Sequence, residues 1–192
     1  TDKNKKNKSL HILTSMDTKS KLLECLEKTK FGINRGRANV SGVDEELSAR
    51  YTANSNWGKK IVGKPCQSIT LGFIRHRHKK KDEARQLSAK TFKHSELYEL
   101  SKKFIAEINP DFKYTTICIN KNLVCEKHKD AKNDGQSLII GLGDYQGGNL
   151  YVEGVKHNIK DNPVIFDGYK QEHYNDKITS GTKYSLIYYV GG

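Results

Sequence analysis

The chain has 192 residues, 34 Lys+Arg against 22 Asp+Glu, and a formal net charge of +12. Only 35% of it is hydrophobic, yet this length suffices for one real core, and no apolar run approaches the ~20 residues of a membrane span. The Lys/Asn-rich opening is not followed by an apolar stretch, which argues against a signal peptide and for an intracellular protein, nuclear or cytoplasmic. The charge is uneven: residues 1–108 hold 24 Lys/Arg and 12 Asp/Glu, whereas residues 109–192 hold 10 of each. Charge alone leaves two readings open, a well-hydrated surface of scattered lysines and a polyanion-binding face built from the front half.

Residues 1–17 read as a basic, flexible arm, and 18–192 as a single domain. From Thr18 the spacing of Leu22, Leu23 and Leu26 predicts an amphipathic helix ending near Lys30. A glycine-punctuated basic loop follows, carrying Arg35 and Arg37. Its Gly32-x-x-x-Gly36 lacks the Gly-Lys-Ser/Thr that a phosphate-binding P-loop requires. Ser68–Ile74 alternates as a strand and runs into the cationic stretch Arg75-His-Arg77-His-Lys-Lys-Lys. Leu97, Leu100, Phe104, Ile105 and Ile108 mark a second helix, which Asn109-Pro110 ends.

Beyond Pro110 the pattern changes to short β-branched and aromatic runs: 114–120, 137–142, 149–152, 164–166 and 184–190. Glycine turns separate them. The expected fold is therefore α+β, with a helical, basic, substrate-facing part over 18–110 and a jelly-roll core over 111–192. Cys25, Cys66, Cys118 and Cys125 form no CxxC pair and have no zinc-ligand spacing, so reduced thiols are expected.

The chemistry-bearing phrase is Cys125-Glu-Lys-His128-Lys-Asp130-Ala-Lys-Asn133-Asp-Gly135. His128 and Asp130 are two apart and project from one side of an extended backbone. With His173, far downstream, they make two imidazoles and one carboxylate, a facial set that suits non-haem Fe(II) and leaves coordination positions open. H-x-D by itself also fits a solvated charged loop. His157 competes for the third position, but its polar surroundings read as a hairpin and His173 has the better distance to Lys183. Ten residues past His173, Lys183 and Ser185 offer a cation and a hydroxyl for the distal carboxylate of a dicarboxylate.

H-x-D, a distant His, then a basic residue with Ser two later resembles the Fe(II)/2-oxoglutarate-dependent dioxygenases over roughly residues 112–190. The resemblance implies a double-stranded β-helix core flanked by N-terminal helices. It implies His128, Asp130 and His173 as iron ligands. It also implies Lys183 and Ser185 as anchors for 2-oxoglutarate, with O2 as the second co-substrate and ascorbate as an optional reductant. Arginine is commoner where Lys183 stands; lysine keeps the charge but loses the bidentate fork. Leu142-Gly-Asp-Tyr-Gln-Gly-Gly-Asn-Leu150 and Phe166-Asp-Gly-Tyr-Lys-Gln-Glu-His173 are similar to the TET/JBP-like branch, which oxidises the 5-methyl group of pyrimidines in nucleic acid.

Asn120 and Asn133 are candidate co-substrate or ligand-orienting contacts, or else asparagines making local backbone bonds. Arg35, Arg37, Arg75 and Arg77, with His76 and His78, are candidate nucleic-acid contacts, or else a solvated basic surface. Tyr51, Trp57 and Tyr145 are candidates for base stacking, or else core. DNA is favoured over RNA as the partner, and no membrane is expected. The alternatives are a prolyl or lysyl protein hydroxylase, whose core would be the same, and a non-catalytic nucleic-acid-binding module. Oligomeric state has no signature here.

Overall fold

The computed structural model describes residues 16–37, 39–40, 64–75, 84–131 and 133–191, the side chains of Arg35, Gly36 and Lys64 excepted. Helix α1 (Thr18–Lys28) starts at Asp17, whose carboxylate accepts the Ser20 N–H at 2.7 Å. Strands β1 (Ile33–Arg37), β2 (Lys64–Ile74) and β3 (Gln86–Leu87) follow. Ser88 then caps the short α2 (Ala89–Lys93), and α3 (Ser95–Ile108) carries the second amphipathic stripe.

The back half supplies β4 (Thr116–Lys121), β5 (Asn133–Leu142), β6 (Tyr145–Gly147), β7 (Leu150–Val152) and β8 (Val155–His157). It continues with β9 (Val164–Phe166), β10 (His173–Asn175), β11 (Ile178–Gly181) and β12 (Tyr184–Gly191).

Every strand pairing is antiparallel. The major sheet runs β1-β2-β4-β12-β5-β9, with β3 attached to β2. Opposite it stand β10-β7-β8 and the pair β11-β6. This is the helix-flanked jelly-roll core expected from the sequence. The helical label for residues 18–110 needs correction, because β1 and β2 from that part join the major sheet directly. Two features hid β1: Ile-Asn-Arg-Gly-Arg has one apolar residue, and a register shift between Asn34 and Arg37 breaks its alternation.

Strand period explains how one sheet serves both a core and a site. On β12, Tyr184, Leu186 and Tyr188 face the helices; so do Ile117 and Ile119 of β4 and Leu138, Ile140 and Leu142 of β5. They pack against Leu22 and Leu26 of α1 and Leu97, Phe104 and Ile105 of α3. Each such side chain contributes about 1.5–3 kcal/mol when fully buried. The Tyr188 hydroxyl donates to the Ser101 carbonyl at 2.7 Å and ties sheet to helix. The alternate residues, Cys118, Asn120, Ser185, Ile187 and Tyr189, point the other way and line a cavity. A smaller core of Ile139, Leu150, Val152, Ile159 and Phe166 holds the two sheets together beside it.

Candidate metal centre

His128 and His173 are brought together by backbone pairing. Each donates its N–H to the other's carbonyl, at 3.1 and 3.0 Å. Asp130 is fixed by its own N–H, which donates to the Gly168 carbonyl at 2.7 Å. Two loops distant in sequence are thereby clamped, and the candidate ligand atoms of His128, Asp130 and His173 all lie within 4.8 Å of one another.

Ring orientation follows from hydrogen bonding. His128 Nδ1 lies 2.6 Å from the Glu126 carbonyl and His173 Nδ1 lies 2.9 Å from that of Gln171. A carbonyl can only accept, so in the neutral rings both Nδ1 atoms carry the proton and both Nε2 lone pairs are free. Those Nε2 atoms face the Asp130 carboxylate, His128 at 3.5 Å from Oδ1 and His173 at 3.7 Å from Oδ2. Asn133 Nδ2 donates to Asp130 Oδ2 at 3.0 Å and steadies the carboxylate. Phe166 closes the edge of the His173 ring, centroids 4.9 Å apart.

The two imidazoles differ electrostatically. Burial opposes protonation of His128, but the Asp130 carboxylate and the Glu126 carbonyl outweigh it and raise its pKa; burial dominates at His173 and lowers it. Two nitrogen donors and one carboxylate, converging beside a cavity of about 140 Å3, fit a divalent first-row metal with positions left open to other ligands.

Asn120 and Ser185 sit opposite each other on paired strands and both line this cavity. Asn120 Nδ2 is 3.5 Å from Ser185 Oγ. Arg37, expected among the nucleic-acid contacts, is instead part of the cavity wall, and its Nη1 donates to Asn120 Oδ1 at 2.9 Å. Arg75 lies at the end of β2, partly buried, and its Nε has no hydrogen-bond partner among the described residues. Tyr145 is buried against Gly141 and Ile159, a core position rather than a stacking platform. His157 pairs with Leu150 on β8, away from the triad. Tyr51, Trp57, His76, Arg77 and His78, and the Arg35 side chain, lie outside the described residues. The four cysteines are free thiols, as expected; burial pushes Cys125 up to about 11, so it stays neutral.

Lys183 is 1% exposed, its ammonium donates to the Gly148 carbonyl at 2.6 Å, and it stands behind the cavity wall rather than in it. Burial pulls its pKa down, to about 8, against weak opposition from Cys125 and Asp176. An unfolded lysine holds its proton to about 10.5, so between these values the unfolded chain binds more protons and folding is favoured as pH rises. The stability of the wild type relative to Lys183→Met should therefore increase by up to about 3 kcal/mol from pH 7 to pH 10.5. Denaturant melts of both proteins across that range check it; a flat difference would contradict the buried cation.

Sequence reasoning missed three contributors: Phe166 against His173, Tyr189 in the cavity wall, and Gly168 beneath Asp130. Alternation along β12 from Ser185 was enough to find Tyr189. Gly168 looked only like a turn residue, yet a Cβ built there would collide with Asp130 Oδ2.

No family model matches the chain, and no curated protein matches it. Among solved structures it is similar to NgTET1 in complex with 5mC DNA, at 16% identity and a TM-score of 0.44, covering 77% of this chain and 67% of that one. It is similar to an oxidoreductase of the 2OG-Fe(II) oxygenase family from Burkholderia pseudomallei, at 16% identity and a TM-score of 0.45, covering 92% and 91%. A Pseudomonas putida prolyl-4-hydroxylase matches at 12% identity and a TM-score of 0.37, covering 92% and 100%. At these scores the chemistry has to be read from the site's own side chains.

Proposed function

We propose that the protein is an Fe(II)/2-oxoglutarate-dependent dioxygenase that hydroxylates a C–H bond, namely the 5-methyl group of 5-methylcytosine or thymine in nucleic acid, with DNA preferred to RNA. The observation that carries the enzyme class is the convergence of two Nε2 lone pairs and one carboxylate on a cavity, with both Nδ1 protons already committed to backbone carbonyls. His128, Asp130 and His173 would hold the iron. When bound, iron with 2-oxoglutarate and O2 supplies the power to oxidise an unactivated C–H bond.

The chain's own residues do the rest. The Glu126 and Gln171 carbonyls fix the imidazole tautomers, and Asn133 holds Asp130 in place. Asn120 and Ser185 offer polar contacts to the co-substrate from the deep wall. Ile139, Leu150 and Phe166 keep one side of the cavity apolar and limit water.

The substrate class rests on the resemblance of the 142–150 and 166–173 phrases to the TET/JBP-like branch and on the cationic surplus of the front half. A duplex substrate requires the target base to be turned out of the stack; single strands avoid that cost. The test is nucleoside mass spectrometry after loading the protein with Fe(II) and 2-oxoglutarate without oxygen, then admitting air with methylated DNA or RNA. Gain of one oxygen on 5-methylcytosine or thymine is the expected result. Succinate formation stimulated by a peptide pool but never by nucleic acid would replace this substrate with a prolyl or lysyl side chain.

A further inference from the structure

A dicarboxylate co-substrate chelating the metal with one end brings a second carboxylate into the cavity. A buried anion left without a cation or donors costs several kcal/mol. Among the described residues, Arg37 is the one Lys or Arg side chain in the cavity wall. It reaches there from β1, across β2, to Asn120 on β4, and Asn120 in turn adjoins Ser185 on β12. Guanidinium, amide and hydroxyl thus form a row of donors crossing the sheet on its cavity face. Asn120 and Ser185 are 1% and 6% exposed.

Arg37 also has the surroundings of a cation awaiting an anion. Its polar neighbours are the Asn120 oxygen and the thiols of Cys66, Cys118 and Cys125, and no carboxylate pairs with it among the described residues. One bond to Asn120 leaves most of its five N–H donors for a ligand. Lys183, by contrast, has its ammonium committed to the Gly148 carbonyl and lies outside the wall.

We infer that Arg37, supplied by the front half of the chain, is the residue that binds the distal carboxylate of 2-oxoglutarate, with Asn120 and Ser185 beside it, in place of Lys183. The inference rests on the dioxygenase reading and changes the part the front half plays. One of its arginines belongs to the co-substrate pocket, so the catalytic unit extends beyond residues 111–192.

Calorimetric titration of the Mn(II)-loaded protein with 2-oxoglutarate and with pyruvate, which lacks the distal carboxylate, tests it. Arg37→Gln should weaken 2-oxoglutarate about 100-fold and leave pyruvate within about 3-fold, while Arg37→Lys recovers part of the loss because it keeps charge without the fork. Lys183→Met should leave 2-oxoglutarate within about 3-fold. Unchanged Mn(II) affinity and thermal midpoint in each variant show that the fold is intact. The inference is overturned if Lys183→Met takes the loss and Arg37→Gln does not, or if Arg37→Gln weakens both acids equally. A wild-type protein that binds Mn(II) but neither acid would sink the dioxygenase reading instead.

Discussion

His173→Ala is expected to abolish Fe(II) binding, whereas His157→Ala leaves it at the wild-type level. His173 contributes one of three donors, and its loss should cost more than the roughly 10–100-fold attached to an outer hydrogen-bond partner. The fold should survive, because the bridge between His128 and His173 is made by backbone groups. His157 sits on β8 opposite Leu150 and takes no part in the cluster. Equilibrium dialysis with Fe(II) under anaerobic conditions reads the difference, and circular dichroism shows whether each variant is folded. Loss of binding in His157→Ala with retention in His173→Ala would overturn the assignment of ligands.

Gly168→Ala should separate metal binding from stability. Gly168 has an ordinary backbone conformation, so alanine brings no dihedral strain; the added methyl lands on the Asp130 carboxylate and touches His173 Cε1 at 3.5 Å. Asp130 is partly exposed, with its side chain 31% accessible, and can swing away at a cost within about 1–3 kcal/mol. That swing breaks its bond to Asn133 and removes the carboxylate from the Nε2 atoms. Fe(II) affinity should fall about 10–100-fold, with the apo protein melting close to the wild type. Unchanged Fe(II) affinity would mean that the carboxylate is not held where the geometry puts it.

The metal triad was legible because a facial ligand set leaves a spacing in the sequence: His128 and Asp130 two apart on an extended segment, and His173 at the far end of a run of short strands. The helices were legible from Leu22–Leu26 and Leu97–Ile108, since one-sided burial imposes a 3.6-residue period. β12 was found, and its alternation already sorted Ser185, Ile187 and Tyr189 onto one face.

The position of Arg37 was not legible. It depends on β1 pairing with β2 through a register shift and on an arginine long enough to pass over β2 to Asn120, and neither leaves a pattern in a window of residues. Composition counted Arg37 with the surface cations for the same reason. Lys183 misled in the opposite direction. Its spacing from His173 marks it as an anchor, yet a two-residue offset from Ser185 says which face it occupies, not whether the ammonium reaches the cavity or stops at the Gly148 carbonyl. The +12 surplus is therefore not wholly a matter of the macromolecular partner; part of it is spent inside the catalytic pocket.

The central claim is that this triad holds iron in a form that a 2-oxo acid can chelate. Visible absorption during anaerobic titration of the Fe(II)-loaded protein with 2-oxoglutarate tests it most directly. A charge-transfer band that saturates at one equivalent and is absent from His173→Ala is the predicted result. A protein that binds Fe(II) at these residues yet develops no band at any concentration of 2-oxoglutarate would contradict the account.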